Sequence, residues 1–412
     1  MSTFKNFFKV KNIEEVLSLE SLFPQLGTEE IPLLNASGRV LASDIISDAD
    51  LPGFDRSTMD GFAVVASSTF GASDGSPAFL NIKGTVPMGE EPDFSIRPGE
   101  AARMPTGGML PEGADSVIMI ELTEAIDDDS IEIYKSVAPG NDIIKRGEDY
   151  KAGDTIISAG CRLRPQDVGL LAAFGQDPVS VFKQPVVGII STGDEIVPVN
   201  KNPGSAEVRD TNTYSLAGFV KDAGAIPVTF GIAKDNFDEL LKMCSKAIEE
   251  TDMVILSGGS SVGTRDFTIE VLSSLPESEI LVHGISISPG KPTILAKTRG
   301  KAVWGLPGHV VSSMIVFKVI VRPFIEHIGG VSLTNRKQQW TKAKMTRNIS
   351  SAQGRIDCIR VKLSRTNRTL FAEPVLGKSG LINTMVKADG IVMVDINSEG
   401  IEEGAEVDVI QI

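Results

Sequence analysis

The stretch Pro185–Glu195, "PVVGIISTGDE", decides how the second half of this chain folds. Its apolar run from Val186 to Ile190 shows no polar alternation, the pattern of a strand buried on both faces. "TGD" then ends the run as a turn. Downstream the same grammar repeats. "DTNTYSLAGFVKDAG" reads as a capped helix, "AIPVTFGIA" as a strand, and "DNFDELLKMCSKAIEE" as a helix with an Asp/Asn start. "DMVILSGGSSVG" is a strand running into a glycine-serine loop, and "TRDFTIEVLSSL" is the next helix. "ILVHGISISPGKPTILAK" and "KAVWGLPGHVVSSMIVFKVIVRPFIEHIG" complete the series. Such alternation predicts βαβ units around a mostly parallel sheet, with the loops at the strand C-terminal ends forming a crevice.

Outward from this block the character changes on both sides. "NIEEVLSLESLF" near the start has the period of a short amphipathic helix. From about Gly61 to Gly160 the signals are short β runs, among them "FAVVA", "AFLNIKGTV", "DSVIMIEL" and "SIEIYKSV", and they predict a small all-β module. "RPQDVGLLAAFG" is a helix with proline in its first turn. After Gly330 the runs "QWTKAKMTRNI", "RIDCIRVKL", "TLFAEPVL", "GIVMVDI" and "AEVDVIQI" predict a C-terminal barrel or sandwich.

The 412 residues exceed one compact core and call for several domains. A net charge of −14 without a Lys/Arg cluster, together with 6% aromatic residues, argues against a nucleic-acid partner. An anionic ligand would have to find its positive potential locally, from backbone N–H groups, a few lysines or a bound cation. Cys161, Cys244 and Cys358 are far apart and form neither a CxxC nor a disulfide pattern, which fits a reducing cytoplasm. Lysines interrupt the N-terminal apolar residues, so no signal peptide is expected, and no apolar run is long enough to span a membrane.

Three loops carry the chemical signals of the α/β block. "STGDE", "SGGSSVGTRDF" and "GLPGHVVSSM" each leave an apolar strand with glycines that let backbone approach a bound group. They place Ser257, Gly258, Gly259, Pro307 and Gly308 on one predicted edge, beside the acids Asp194, Glu195, Asp235 and Asp266. Acids next to an anion site repel the ligand unless a cation such as Mg²⁺ bridges them. Asp235 reads equally well as a helix cap, Asp266 as a cap or a solvated residue, and Asp194 as a turn residue. Lys291 sits between prolines in "SPGKPT", a rigid setting for a phosphate contact, although a lysine is also the commonest solvated surface residue. In the β-rich half, "RMPTGGMLPEGADSV" centres on Thr106 and "KRGEDYKAGD" carries Asp149. "DLPGFDRSTMDGFAV" contributes Asp60, with Gly61 expected to reverse the chain. Phe54, Met59 and Phe62 are expected to anchor that turn by packing, and Asp55 and Ser57 to fix it by local hydrogen bonds. No Ser-His-Asp order, GxSxG, dinucleotide fingerprint or P-loop occurs.

"PGFDRSTMDGFAV", "MPTGGMLPEGADSVIMIE", "KRGED", "STGDE", "DTNTY", "SGGSSVGTRDF", "PGKP" and "GLPGHVVS" stand in the order seen in the MoeA and gephyrin E-domain family, the molybdopterin molybdenumtransferases, which this chain resembles over its whole length. The resemblance implies a multidomain α/β plus β fold. Its parts would be a discontinuous N-terminal linker domain (1–50 and 147–183), a β-rich insert domain (51–146), a MogA-like three-layer α/β domain with a mostly parallel sheet (184–330) and a C-terminal β-barrel (331–412). It implies a homodimer whose cleft is shared between protomers. The implied reaction takes adenylylated molybdopterin and molybdate, or tungstate, to the molybdenum cofactor and AMP with Mg²⁺ as cofactor. Transient contact with a MogA-type adenylyltransferase is implied too. By position, Asp60, Asp149 and Glu195 match catalytic acids, and Asp235 and Asp266 match metal ligands. Thr106, Ser257, Gly258, Gly259, Lys291, Pro307, Gly308, Arg355 and Ser379 match substrate-binding positions. Ser288 stands where relatives often carry lysine, His309-Val310 where Asn-Pro is common, and Lys378 where an uncharged residue precedes the serine. An adenylyltransferase, which would consume ATP, and a gephyrin-like scaffold are the alternative readings.

Overall fold

The computed structural model describes residues 10–258, 267–336 and 340–412, which fall into two compact units. The larger unit comprises residues 1–43, 159–169 and 176–412; the smaller comprises 44–158 and 170–175.

The larger unit is built on a six-stranded sheet. Val186–Thr192 sits between Ile226–Ala233 and Met253–Ser257, followed by Lys301–Leu306, Ile294–Thr298 and Glu279–His283. The first four strands are parallel, and the last two add antiparallel. Side chains alternate between two buried faces, so both faces need cover. Val187, Ile189, Met253 and Ile255 join one core, whereas Ile190, Val254 and Leu256 join another. The first core packs against the helices Asn212–Asp222 and Val310–Val316 and includes Trp304, whose ring meets Phe324 edge-on at 5.0 Å. The second packs against Phe237–Glu250 and Phe267–Ser274. The result is the mostly parallel sheet expected from the alternation, in the three-layer α/β arrangement that the resemblance implies.

The N-terminal helix Ile13–Ser18 is started by a capping box. Asn12 Oδ1 accepts the Glu15 N–H, and Glu15 Oε2 accepts the Asn12 N–H. Its Ile13 and Val16 enter the first core, and the neighbouring strand Thr28–Ile31 pairs antiparallel with Val179–Phe182.

At the C-terminal end the five runs read from sequence form strands Trp340–Met345, Ile356–Thr366, Thr369–Pro374, Gly390–Val394 and Glu406–Gln411. Pairing of Ile356–Thr366 with both Thr369–Pro374 and Gly390–Val394 closes them into a five-stranded barrel. Val361, Ala372, Val392 and Val409 fill its interior. One short strand, Ile287–Ser288, leaves the α/β sequence to pair parallel with Ile356–Asp357, stitching barrel to α/β layers.

The smaller unit is β-rich. Its sheet runs Ser116–Met119, Gly61–Val64, Glu100–Met104, Ala78–Thr85, Ser130–Ile133 and Thr123–Ala125. Phe62 and Val64 bury into one face and Ala63 into the other. Ile45–Ile46 pairs with Thr155–Ile157 in the same unit. No helix among the described residues is long and apolar enough to cross a membrane.

Candidate active site

Three adjacent parallel strands end side by side, and their exits converge as the sequence predicts. Gly258 donates its N–H to the Leu306 carbonyl, and Asn212 Nδ2 donates to both Ser257 Oγ (2.6 Å) and the Gly308 carbonyl (2.9 Å). Gly258 has φ +124°, and a Cβ there would lie 2.1 Å from the Thr192 carbonyl oxygen, so no other residue fits. Beneath the loops, buried Asp210 accepts from Ser191 Oγ and the Thr213 N–H, fixing the start of the Asn212–Asp222 helix. Gly259 and Asp266 lie outside the described residues.

Asp235 is not a helix cap. Asn236 takes that role, accepting the Glu239 N–H at 3.1 Å, and Asp235 Oδ1 instead accepts from Thr192 Oγ1 at 2.9 Å. Asp194 Oδ1 accepts the Asp235 N–H at 3.3 Å, and Glu195 follows, exposed. Two of the exposed acids therefore meet at this corner of the sheet edge, one with its carboxylate oriented by a strand-end threonine.

Farther along, a cavity of about 630 Å³ opens between the α/β layers and the barrel. Lys291, Pro307, Arg355 and Ser379 all line it, with Ser288 and His309 beside them. None of the described residues lining it is acidic, in a chain with 54 acids and 40 Lys/Arg. Arg355 is oriented by buried Asp357, with Nε 2.9 Å from Oδ1. Asp357 Oδ2 accepts from Ser351 Oγ at 2.8 Å. Burial pushes the Asp357 carboxyl up, but hydrogen bonds from Ser351 and Ser288 and the Arg355 charge outweigh it and hold it below the usual aspartate value. Ser379 is pinned twice: its carbonyl accepts the Val311 N–H, and its Oγ lies 2.9 Å from His309 Nδ1.

In the smaller unit, Thr106 and Asp60 meet. The Thr106 N–H and Oγ–H both donate to Asp60 Oδ1, at 2.7 and 2.8 Å. These two bonds hold the exposed Asp60 carboxyl below its ordinary value. Asp149 is exposed in the turn after Gly147, where its N–H donates to the Leu51 carbonyl.

Three expectations about the stretch around Asp60 need correction. Gly61 does not reverse the chain. It begins the strand Gly61–Val64, paired on both sides, where a Cβ would sit 1.9 Å from the Ile118 carbonyl oxygen. Phe62 packs in the core, whereas Phe54 and Met59 are each 39% exposed and anchor nothing by burial. Ser57 does bond locally, to Met59, but Asp55 accepts from the Arg146 N–H, 91 positions away.

Asp357 and Asn212 order the candidate site, through Arg355 and through Ser257 and Gly308, and residue-by-residue reading did not single them out. Asn212 lies in the quoted "DTNTY" and was open to recognition; Asp357 has no local signal, because its role depends on the barrel's edge meeting Ser288.

Fold and site together define a three-layer α/β protein joined to a β-barrel, with Lys291 and Arg355 lining the cavity between them. Residues 11–175 match the MoeA N-terminal region (domains I and II), 188–327 a probable molybdopterin-binding domain, and 342–412 the MoeA C-terminal region (domain IV). The chain is 33% identical to a putative molybdopterin biosynthesis protein of Methanocaldococcus jannaschii over 99% of each chain. It is 36% identical to a molybdopterin molybdenumtransferase of a Nostoc species, covering 75% of this chain and 71% of that one. The crystal structure of a molybdopterin biosynthesis MoeA protein from Pyrococcus horikoshii superposes with a TM-score of 0.79 at 37% identity, covering 98% of this chain and 99% of that one. The chain belongs to the MoeA family.

Proposed function

We propose that this protein is a molybdopterin molybdenumtransferase, transferring molybdate to adenylylated molybdopterin with release of AMP. The observation that carries the reading is the cavity lined by Lys291 and Arg355, with no acid among its described lining residues, in a family whose relatives bear that name. Cleaving the phosphate–phosphate anhydride of such a substrate requires neutralised charge and an oriented nucleophile more than a covalent catalyst. Lys291 and Arg355 would hold phosphate or oxyanion oxygens, the arginine in a direction set by Asp357. An oxygen of the molybdate substrate would attack the pterin-side phosphorus, the bond from that phosphorus to the bridging oxygen would break, and AMP would leave with the bridge; water would then cleave the resulting Mo–O–P link, and the pterin thiols would take the molybdate with loss of an oxo group as water.

The donor set also suits Mg²⁺. Asp235 presents a carboxylate fixed by Thr192, a hard-oxygen ligand, and Asp266 is the second candidate; one or two carboxylates suffice where substrate phosphates and water complete the shell. When bound, the ion would neutralise phosphate charge. Asp60 and Asp149 are proposed as catalytic acids of a cleft completed by a second protomer, within the four-part domain division given above. A cytoplasmic location and substrate handover from a MogA-type adenylyltransferase belong to the same reading.

The test supplies adenylylated molybdopterin, Mg²⁺ and molybdate or tungstate and follows AMP. Release that needs the oxyanion, and that falls in Asp60→Asn and Glu195→Gln with the fold intact, supports the function and the site. Well-folded protein that releases no AMP, or consumes ATP with molybdopterin instead, overturns it.

A further inference from the structure

We propose that His309 and Ser379 form a proton-coupled donor pair, making His309 a specificity-determining contact for a tetrahedral dianion in the cavity. The inference rests on reading that cavity as the anion site of the transferase.

The two residues lie 70 positions apart, yet His309 Nδ1 and Ser379 Oγ are 2.9 Å from each other and both line the cavity. The serine is held in place independently of the histidine, because its carbonyl accepts the Val311 N–H at 3.1 Å. With Nδ1 engaged by Ser379, Nε2 is the ring's other polar atom. When the Ser379 O–H donates to Nδ1, a neutral ring must carry its single proton on Nε2, as a donor. When the ring is protonated, the direction reverses. Nδ1–H then donates to Ser379 Oγ, and the serine's O–H is released toward another acceptor. One proton taken up by His309 thus adds a positive charge and also frees a hydroxyl donor.

The charged groups around the pair decide the consequence. Lys291 and Arg355 line the same cavity, and Lys378 neighbours Ser379 in sequence. Asp357 is committed to Arg355 and to Ser351. No acidic side chain among the described lining residues is available to pair with an imidazolium, so the natural counter-charge for one is the ligand itself. A dianion in the cavity favours the protonated ring over the neutral one, and by linkage the protonated ring favours the dianion. A ligand of lower charge gains less from the same pair, which is how the pair discriminates. Molybdate and a substrate phosphate share this chemistry.

The experiment is calorimetric titration of the full chain with molybdate, inorganic phosphate or AMP, at about pH 6 and about pH 8, either side of the ordinary histidine value. Buffers of differing ionisation enthalpy count the protons taken up. Wild type is expected to bind molybdate, a dianion at both pH values, with proton uptake and with affinity falling roughly tenfold toward the higher pH. His309→Gln should lose both the uptake and the pH dependence. Lys291→Ala should bind more weakly at both pH values and keep the pH dependence. Ser379→Ala should reduce the pH dependence without abolishing it. If His309→Gln retains the wild-type pH dependence, the pair is not the sensor, while the anion site stands. If wild type binds none of the three anions in a Lys291-dependent way, the reading of the cavity falls, and the inference with it. Tighter binding of AMP or phosphate than of molybdate, with the same His309 dependence, assigns the pair to the phosphate rather than the oxyanion.

Discussion

Thr106 gives both its backbone N–H and its hydroxyl to one oxygen of Asp60, across 46 positions of sequence. Both bonds go to Oδ1, and they stabilise the carboxylate's charge. The folded value of Asp60 lies below its unfolded value. Its contribution to stability is therefore present above the unfolded value and is lost as pH falls through the lowered one. Thr106→Val removes one of the two donors. The Asp60 carboxyl should then titrate higher by carbon-detected NMR, the acid limb of the stability curve should become shallower, and AMP release should fall about tenfold, the worth of one charge-assisted hydrogen bond. An unmoved titration would show that the backbone bond alone sets the carboxyl.

Asp235 and Asn236 are adjacent, and only Asn236 caps the Phe237–Glu250 helix. Asn236→Ala removes the cap of the Phe237–Glu250 helix and should cost about 0.5–2 kcal/mol in denaturant unfolding, with turnover nearly unchanged. Asp235→Asn should do the reverse, keeping the midpoint and raising the Mg²⁺ concentration needed for AMP release. Chelation should abolish release in wild type, and added Mg²⁺ should restore it. If Asp235→Asn unfolds the domain while its metal response is unchanged, Asp235 is structural.

Gly61 tests the corrected reading of its neighbourhood. Gly61→Ala forces a Cβ against the Ile118 carbonyl of the neighbouring edge strand and should destabilise the smaller unit by about 1–3 kcal/mol. Had the residue served a turn of positive φ, the cost would instead be strain; its clash is with backbone, which a flexible side chain cannot relieve. Limited proteolysis within residues 44–158 should accelerate, and circular dichroism should show loss of β signal.

Asp357→Ala leaves Ser351 and Ser288 without their buried acceptor and releases Arg355. The expected loss is about 1–3 kcal/mol of stability, together with a fall in turnover. Arg355→Ala removes a half-exposed side chain and should lower turnover with the smaller stability cost of the two. Equal turnover in wild type and Asp357→Asn would show that the carboxylate's charge does not orient the arginine.

Much of this was legible from local pattern. The apolar run at Val186–Ile190, the capped Ile13–Ser18 helix and the proline-started Pro165–Ala173 helix all follow from spacing, because short-range sterics and hydrogen bonding act within a few residues. The family resemblance added candidate site residues, of which Lys291, Pro307, Arg355 and Ser379 line one cavity. Illegible were the partners each side chain acquires from elsewhere. Asp55 was expected to bond locally and bonds to Arg146; Phe54 and Met59 were expected to pack and stay exposed. The Asp55 contact comes from a distant segment rather than from the stretch itself.

By itself, then, the sequence determined the order of elements, the α/β layers, the closing β strands and the acids and glycines that populate the loops. The tertiary structure alone decided which of them meet: Asp60 with Thr106, Arg355 with Asp357, His309 with Ser379. The division has a physical cause. Helices, strands and turns are set by interactions between near neighbours in the chain, whereas a charge is oriented, and a proton placed, only by groups that folding brings within hydrogen-bond distance.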